Sequence, residues 1–246
     1  MPLFDAHLHL SDYPSPEEVV SLASWCGLGL LASSVDRLSS EKTLGLAQAH
    51  ARSVLPFVGV HPSEAEKGRD VSWLRGALEA AAGLGEVGLD PKYSGVERGG
   101  AQLAVLESQL EQAQRAGKPV QVHSRGAETA CLDVLGTFDL KSVLMHWFEG
   151  EDRLGTLADR GYFLSFGPAL LYSKKLRRMA SSCDRRMALT ETDGPVAYAP
   201  LGGAHGPSLI PSVVFELARL WGTTFEGARQ QVAENSLRYL YPGGKG

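Results

Sequence analysis

Cysteine is scarce in this chain. Cys26, Cys131 and Cys183 are the full complement of 246 residues, far apart and with no CxxC. An odd count at such spacing argues against a disulfide framework and fits a reducing cytosol. Long apolar runs are missing too: nothing approaches the ~20 residues that span a bilayer, so no membrane is expected. Met1-Pro2-Leu3-Phe4-Asp5 has no basic region leading into an apolar stretch, so no signal peptide is read and a cytoplasmic location is expected. Positive charge is in short supply, with 24 Lys and Arg against 28 Asp and Glu and a net charge of −4. That argues against indiscriminate binding to a nucleic-acid backbone while leaving room for a local basic groove.

Several motifs are absent as well: GxxxxGK(S/T), GxSxG and HExxH do not occur. Gly83-Leu84-Gly85-Glu86-Val87-Gly88 matches GxGxxG literally. A dinucleotide site needs a strand before that motif and a helix starting within it. Here an Ala-rich helical stretch precedes it and Leu-Asp-Pro follows, so the reading is rejected.

What is present is an ordinary globular composition, 43% hydrophobic and 21% charged, with no low-complexity linker and no clear repeat. Short apolar runs alternate with longer segments of helical spacing. Strands are expected at Leu3–Leu8, Gly29–Ser33, Leu55–Val60, Gly85–Gly88, Pro119–Val122, Ser142–Met145, Tyr162–Ser165 and Met187–Thr190. Helices are expected at Pro16–Cys26, Ser40–Arg52, Ser72–Ala82, Gln102–Ala116, Ala127–Leu135, Asp152–Asp159, Ser173–Ser181 and Pro211–Trp221. Alternation of this kind gives βαβ units and a parallel sheet. Eight strands suggest closure into an α/β TIM (β/α)8-type barrel, which at about 250 residues would use residues 1–246 as one domain. An open doubly wound sheet is the alternative.

A barrel places functional side chains at the C-terminal ends of its strands. The polar residues fall there. His7 and His9 close the first strand, and positions i and i+2 of a strand face the same way, so two imidazoles can meet one ion. Taken alone, His-x-His also describes surface or core histidines. Glu86 lies inside an apolar, Gly-rich strand, where a buried carboxylate costs several kcal/mol unless paired or bound to a metal. It could serve a structural salt bridge, or bridge two ions. His123 and His146 each end a buried strand and, with Glu86, make an N,N,O set suited to Zn, Mn, Co or Ni. Asp193, in Glu191-Thr192-Asp193-Gly194-Pro195, could ligate the first metal and orient or deprotonate its water, with Glu191 behind it. The alternative for Asp-Gly-Pro is a plain turn.

Further candidates surround this set. His61, after the third strand, could bind an oxyanion or phosphate or protonate a leaving group; a structural role is the alternative. Arg125 suits a phosphate, or a salt bridge. Lys174-Lys175-Leu176-Arg177-Arg178 is the main basic cluster. Its default reading is a solvated helix face, and its sharper reading puts Lys174 and Lys175 against a phosphate backbone at the barrel mouth. His205 lies in a Gly/Pro-rich stretch, Leu201–Pro211, read as a substrate-facing loop, and is not taken as a ligand.

Taken in order, these residues resemble the TatD-like metal-dependent deoxyribonucleases of the amidohydrolase superfamily. The landmarks are Phe4-Asp5-Ala6-His7-Leu8-His9, Gly59-Val60-His61-Pro62, Gly85-Glu86-Val87-Gly88-Leu89-Asp90, Val122-His123-Ser124-Arg125, His146-Trp147-Phe148-Glu149-Gly150, Glu191-Thr192-Asp193-Gly194-Pro195 and a late Glu234-Asn235 followed by Leu237. The resemblance covers nearly the whole chain. It implies one or two divalent ions (Zn, Mg, Mn, Co or Ni), with His7, His9, Glu86 and Asp193 on one and Glu86, His123 and His146 on the other. It also implies 3′-to-5′ phosphodiester hydrolysis of DNA. Two departures lie at the mouth. Ala199–Pro207 holds no Arg where bacterial members carry an Arg/Asn-rich stretch, and Trp147 and Glu149 stand where Cys and Ser are common.

The expected mechanism is metal-assisted hydrolysis, with Asp193, Glu86 and His61 as catalytic groups and His61, Arg125, Lys174 and Lys175 toward substrate phosphate. DNA or another phosphodiester is the expected partner, and the chain is expected as a monomer or weak oligomer. A deacylase, lactonase or amidase on the same site is one alternative. A non-catalytic nucleic-acid-binding barrel is another, and loss of ligand residues would favour it; none of the six is missing.

Overall fold

Eight short strands pair in parallel, each with the next in sequence. They are β1 (Leu3–Leu8), β2 (Leu28–Ser33), β3 (Val54–Val58), β4 (Gly83–Gly88), β5 (Val120–His123), β6 (Val143–Met145), β7 (Phe163–Phe166) and β8 (Ala188–Thr190). The structure, a computed structural model, describes residues 2–93, 100–204 and 206–243; His205 lies outside the described residues. Helices α1 (Pro16–Trp25), α2 (Arg37–Ala49), α3 (Leu74–Ala80), α4 (Ala101–Ala116), α5 (Glu128–Leu135), α6 (Leu154–Arg160), α7 (Lys174–Ser182) and α8 (Ile210–Trp221) follow the strands in turn. This is the expected (β/α)8 barrel. Its strands are buried on both faces, so they read as unbroken apolar runs such as Leu30-Leu31-Ala32.

The barrel closes differently at one seam. Among the described residues no backbone ladder joins β8 to β1. Side chains and single backbone bonds join them: Thr190 Oγ1 donates to the Phe4 carbonyl at 2.9 Å, and Thr192 donates to Asp5 from its N–H at 2.8 Å and its hydroxyl at 2.5 Å. The Asp193 N–H donates to the His7 carbonyl at 2.9 Å. Burial pushes the Asp5 carboxyl up to about 7, against the hydrogen bonds from Thr192.

Among the described residues a ninth helix, α9 (Phe225–Leu240), was not foreseen beyond its Glu234-Asn235 signature. Its inward positions are sparse and partly polar, so its stripe is weak. Asn235 is buried and donates to the carbonyls of Arg185 and Ala188, both at 2.7 Å, which fixes the helix under β8. Tyr239, near its end, is fully buried against the barrel interior, stacked on Phe57 and edge-on to Phe163. Phe4, Ala6, Leu31, Leu144 and Leu189 complete that apolar plug. The second helix also begins earlier than the expected Ser40. Asp36 accepts from the Ser39 N–H at 2.7 Å while the Ser39 hydroxyl accepts from the Asp36 N–H at 3.0 Å, a capping box built on Ser instead of Glu.

Two strands depart from regular pairing: the register shifts between Asp5 and Leu8 in β1 and between Leu84 and Val87 in β4. A bulge breaks strict alternation and re-aims a side chain. These are the strands that carry His7 and Glu86. The glycines of β4 have a packing role. A Cβ on Gly88 would stand 1.9 Å from the His123 carbonyl oxygen, and one on Gly83 would stand 2.2 Å from the Phe57 ring.

Candidate metal centre

Six side chains from five stretches converge at the C-terminal mouth of the barrel. His7 is on β1 and His9 one residue beyond it, Glu86 is on β4, His123 ends β5, His146 follows β6, and Asp193 lies on the turn after β8. Glu86 sits at the centre. His7 Nε2 lies 3.5 Å from Glu86 Oε2 and 3.5 Å from Asp193 Oδ1. His9 Nε2 lies 3.2 Å and 3.4 Å from the same two oxygens. On the other Glu86 oxygen, His123 Nδ1 and His146 Nε2 both stand at 2.7 Å, with 3.3 Å between the two nitrogens.

Ligand atoms about 2.1 Å from one tetrahedral ion stand roughly 3.4 Å apart, and the first group has that spacing. His7 supplies a second sign. Its Nδ1 faces Gln121 Oε1 at 2.9 Å, while Gln121 donates its amide N–H to the Ala6 carbonyl at 2.8 Å. That leaves Gln121 Oε1 as acceptor, so His7 Nδ1 carries a proton and the neutral imidazole presents its Nε2 lone pair to the mouth. Buried His7 Nε2 has no hydrogen-bond partner, although it is aimed at two carboxylates. A cation would satisfy all of these atoms at once. Three overlapping groups have ligand atoms close enough to share an ion: His7, His9 and Glu86; His7, His146 and Asp193; and His61, Glu86 and His123.

Protons hold the charge balance in the metal-free protein. Burial opposes a charge on His9, yet hydrogen bonds to Asp193 and Glu86 outweigh it and raise its pKa to about 10. His7 and His146 also rise, their carboxylate neighbours overcoming burial. Glu86 is driven well below its ordinary value: burial works the other way, but the charges of His146, His61 and His123 prevail. Asp193 is lowered in the same manner: burial works against it, but the imidazoles of His7, His9 and His146 around it prevail.

His61 behaves differently. Burial pushes it down to about 4, so it is neutral near pH 7. Its Nδ1 accepts from the Ser63 N–H at 3.1 Å, which leaves the proton on Nε2, 3.7 Å from Glu86 Oε1.

Behind the ligands stand polar partners. Glu191 is buried, accepts from the Trp147 N–H at 3.0 Å and the Ser165 hydroxyl at 2.7 Å, and lies 3.5 Å from His146 Nδ1. Asp90 accepts from His123 Nε2 at 2.8 Å. Gln121 and Asp90 were not singled out from the sequence. The usable signal for Gln121 was a polar residue within the apolar Val120-Gln121-Val122 of β5. Arg125 is half-exposed, pairs with Asp90 at 2.6 Å and packs 5.6 Å from the Tyr93 ring. Lys175 pairs with Glu149 at 3.0 Å, and Arg178 with Glu151 at 2.9 Å, tying α7 to the loop after β6. Lys174 is exposed and, among the described residues, makes no ion pair. The Arg-free stretch after Asp193 folds into a small hairpin, β9 (Ala197–Tyr198) with β10 (Gly203–Ala204), and Tyr198 stacks on Trp147 at 5.5 Å.

Comparison with known proteins agrees with this geometry. The profile of the TatD related DNase family matches residues 4–241. Human deoxyribonuclease TATDN3 is 28% identical, over 98% of this chain and 94% of its own length. A 3′-5′ ssDNA/RNA exonuclease TatD from Edwardsiella piscicida is 27% identical, over 91% of this chain and 92% of its own. The crystal structure of YjjV, a TatD homologue from Escherichia coli K12, superposes with a TM-score of 0.85 over 98% of both chains at 24% identity, which speaks for the fold alone. The chain belongs to the TatD related DNase family.

Proposed function

We propose that this protein is a divalent-metal-dependent hydrolase that cleaves phosphodiester bonds in DNA, working from the 3′ end as the Edwardsiella relative's name describes for that protein. The observation that carries the reading is the orphaned, buried His7 Nε2, aimed with His9 at Glu86 and Asp193. His7, His9, Glu86 and Asp193 would hold one ion, and Glu86, His123 and His146 a second, the metals being among Zn, Mg, Mn, Co and Ni. Such ions supply Lewis acidity toward a phosphoryl oxygen and lower the pKa of water. Asp193, kept ionised by its imidazole neighbours, orients the attacking water and accepts its proton. Neutral His61 presents its Nε2–H as a hydrogen-bond donor toward substrate oxygen; at about 4 its pKa is too low for a proton donor at neutral pH. Arg125 and Lys174 face substrate phosphate from the rim.

Hydrolysis of single-stranded DNA, stripped of metal with EDTA and reloaded with each ion in turn, tests this reading. Turnover should vanish on stripping and return with at least one ion. Asp193→Asn should lower turnover by a factor of about 100 or more, in the range that a positioned acid–base group contributes. Near wild-type turnover in that variant would remove Asp193 from the mechanism. The mouth is poor in free cations, with Arg125 and Lys175 both paired to carboxylates. That favours, as a second reading, a short carboxylic ester or amide substrate, which an ester panel run beside the DNA assay would reveal.

A further inference from the structure

Asp90 lies outside the ligand set and is used by none of the steps above. It follows β4, is 1% exposed, and every part of it is fixed. Its N–H donates to Gln102 Oε1 at 2.7 Å and its carbonyl accepts from Gln102 Nε2 at 2.9 Å, so α4 clamps its backbone. Its Oδ1 accepts from the Lys92 N–H at 2.8 Å. Its Oδ2 is shared, with His123 Nε2 at 2.8 Å on one side and Arg125 Nη2 at 2.6 Å on the other. One buried oxygen therefore joins a candidate metal ligand to a candidate phosphate contact.

Resting on the metal reading above, we propose that Asp90 is a positioning residue that couples the second ion site to substrate phosphate through Arg125. The chemistry runs in two parts. A carboxylate that accepts the outer N–H of a ligating imidazole fixes its tautomer and ring angle and makes its other nitrogen a better donor. With Nε2 tied to Asp90, His123 presents Nδ1 to Glu86 and the ion. Arg125 draws on the same oxygen, so while paired it weakens what Asp90 gives to His123. A phosphate that draws Arg125 away leaves Asp90 wholly to His123. Substrate binding then tightens the hold on the ion, and by linkage the ion tightens the hold on substrate. The coupling is local: Arg125 is two residues from His123 in sequence, and its exposed side chain can turn toward the mouth.

The test is calorimetric titration of Mn²⁺ into the metal-stripped full-length chain, with no substrate present. Wild type should show two ions. Asp90→Ala should weaken the second by about 10- to 100-fold and leave the first within twofold. Asp90→Asn keeps an acceptor but loses the charge, and should fall between. Arg125→Ala should tighten the second ion several-fold where Asp90 is present. It should change nothing in the Asp90→Asn background, because the effect passes through that carboxylate. An equal gain in both backgrounds would mean that Arg125 acts only by removing a positive charge, and the coupling would be wrong. If Asp90→Ala binds both ions as wild type does, the positioning role is wrong and the metal reading stands. If wild type binds no Mn²⁺, the metal reading itself goes. Unchanged first-ion affinity in each variant serves as the check on folding.

Discussion

On the metal reading, protons and a cation compete for one place between His9 and Asp193. In the metal-free protein His9 carries its proton up to about pH 10, against an ordinary 6.5. A raised folded value stabilises the fold fully below the ordinary pKa, and that gain is lost as pH rises through the folded one. Glu86 and Asp193 are shifted downward, so their contribution is present above the ordinary carboxylate range and is lost on acidification. Metal-stripped protein should therefore melt at progressively lower temperature between pH 7 and 10. Bound metal should flatten that decline, because the ion takes over from the protons, and loading at pH 7 should release protons. Melting curves with and without metal across that range check both. A stripped protein whose melting temperature is flat to pH 10 would count against this proton sharing.

At the same scale, the candidate ligands were legible and their supports were not. His7 and His9 declared themselves by i, i+2 spacing, and Glu86 by its cost in an apolar strand. Gln121 is 114 residues from the His7 it orients, and no local pattern reports such a pairing. Arg125 was read as meeting phosphate or forming a salt bridge, and Lys175 as part of a solvated helix face or meeting phosphate; the carboxylate each one pairs with comes near only in the folded barrel.

Elements carry the next layer. Strands β1 to β8 were legible because both faces are buried and most of their residues are apolar. Helix α9 was not, since its buried face includes Asn235 and Ser236, whose polar groups are satisfied by carbonyls. The two register shifts were invisible for a related reason: a bulge depends on the partner strand. Gly88 sits beside one of them, with φ +152° and the His123 carbonyl oxygen in the place a Cβ would take. Gly88→Ala should cost about 3 kcal/mol, the upper range for overpacking, and push His123 out of place. Chemical denaturation measures the first effect and loss of the second bound ion the second. A stable variant that keeps both ions would mean β4 and β5 can part more readily than their packing suggests.

For the whole molecule, the barrel interior divides into an apolar floor and a polar mouth. Tyr239 belongs to the floor, and α9 delivers it there from the far end of the chain. Tyr239→Ala should lower stability by about 3–5 kcal/mol, as for other large aromatic truncations, while metal affinity holds in whatever fraction remains folded. Denaturant midpoints and metal titrations separate the two. Loss of metal binding in fully folded variant would show that floor and mouth are not independent.

The seam between β8 and β1 bears on how the protein is made. His7 and His9 leave the ribosome long before Thr192 and Asp193 do. Asp5 waits across 187 residues for the threonine that holds it. A nascent chain thus owns most of its ligands long before it owns the first ion site, because the contacts that shut the barrel also deliver Asp193. On the metal reading, capture of that ion would be a mark of closure, available only to a chain whose β1 and β8 have already met.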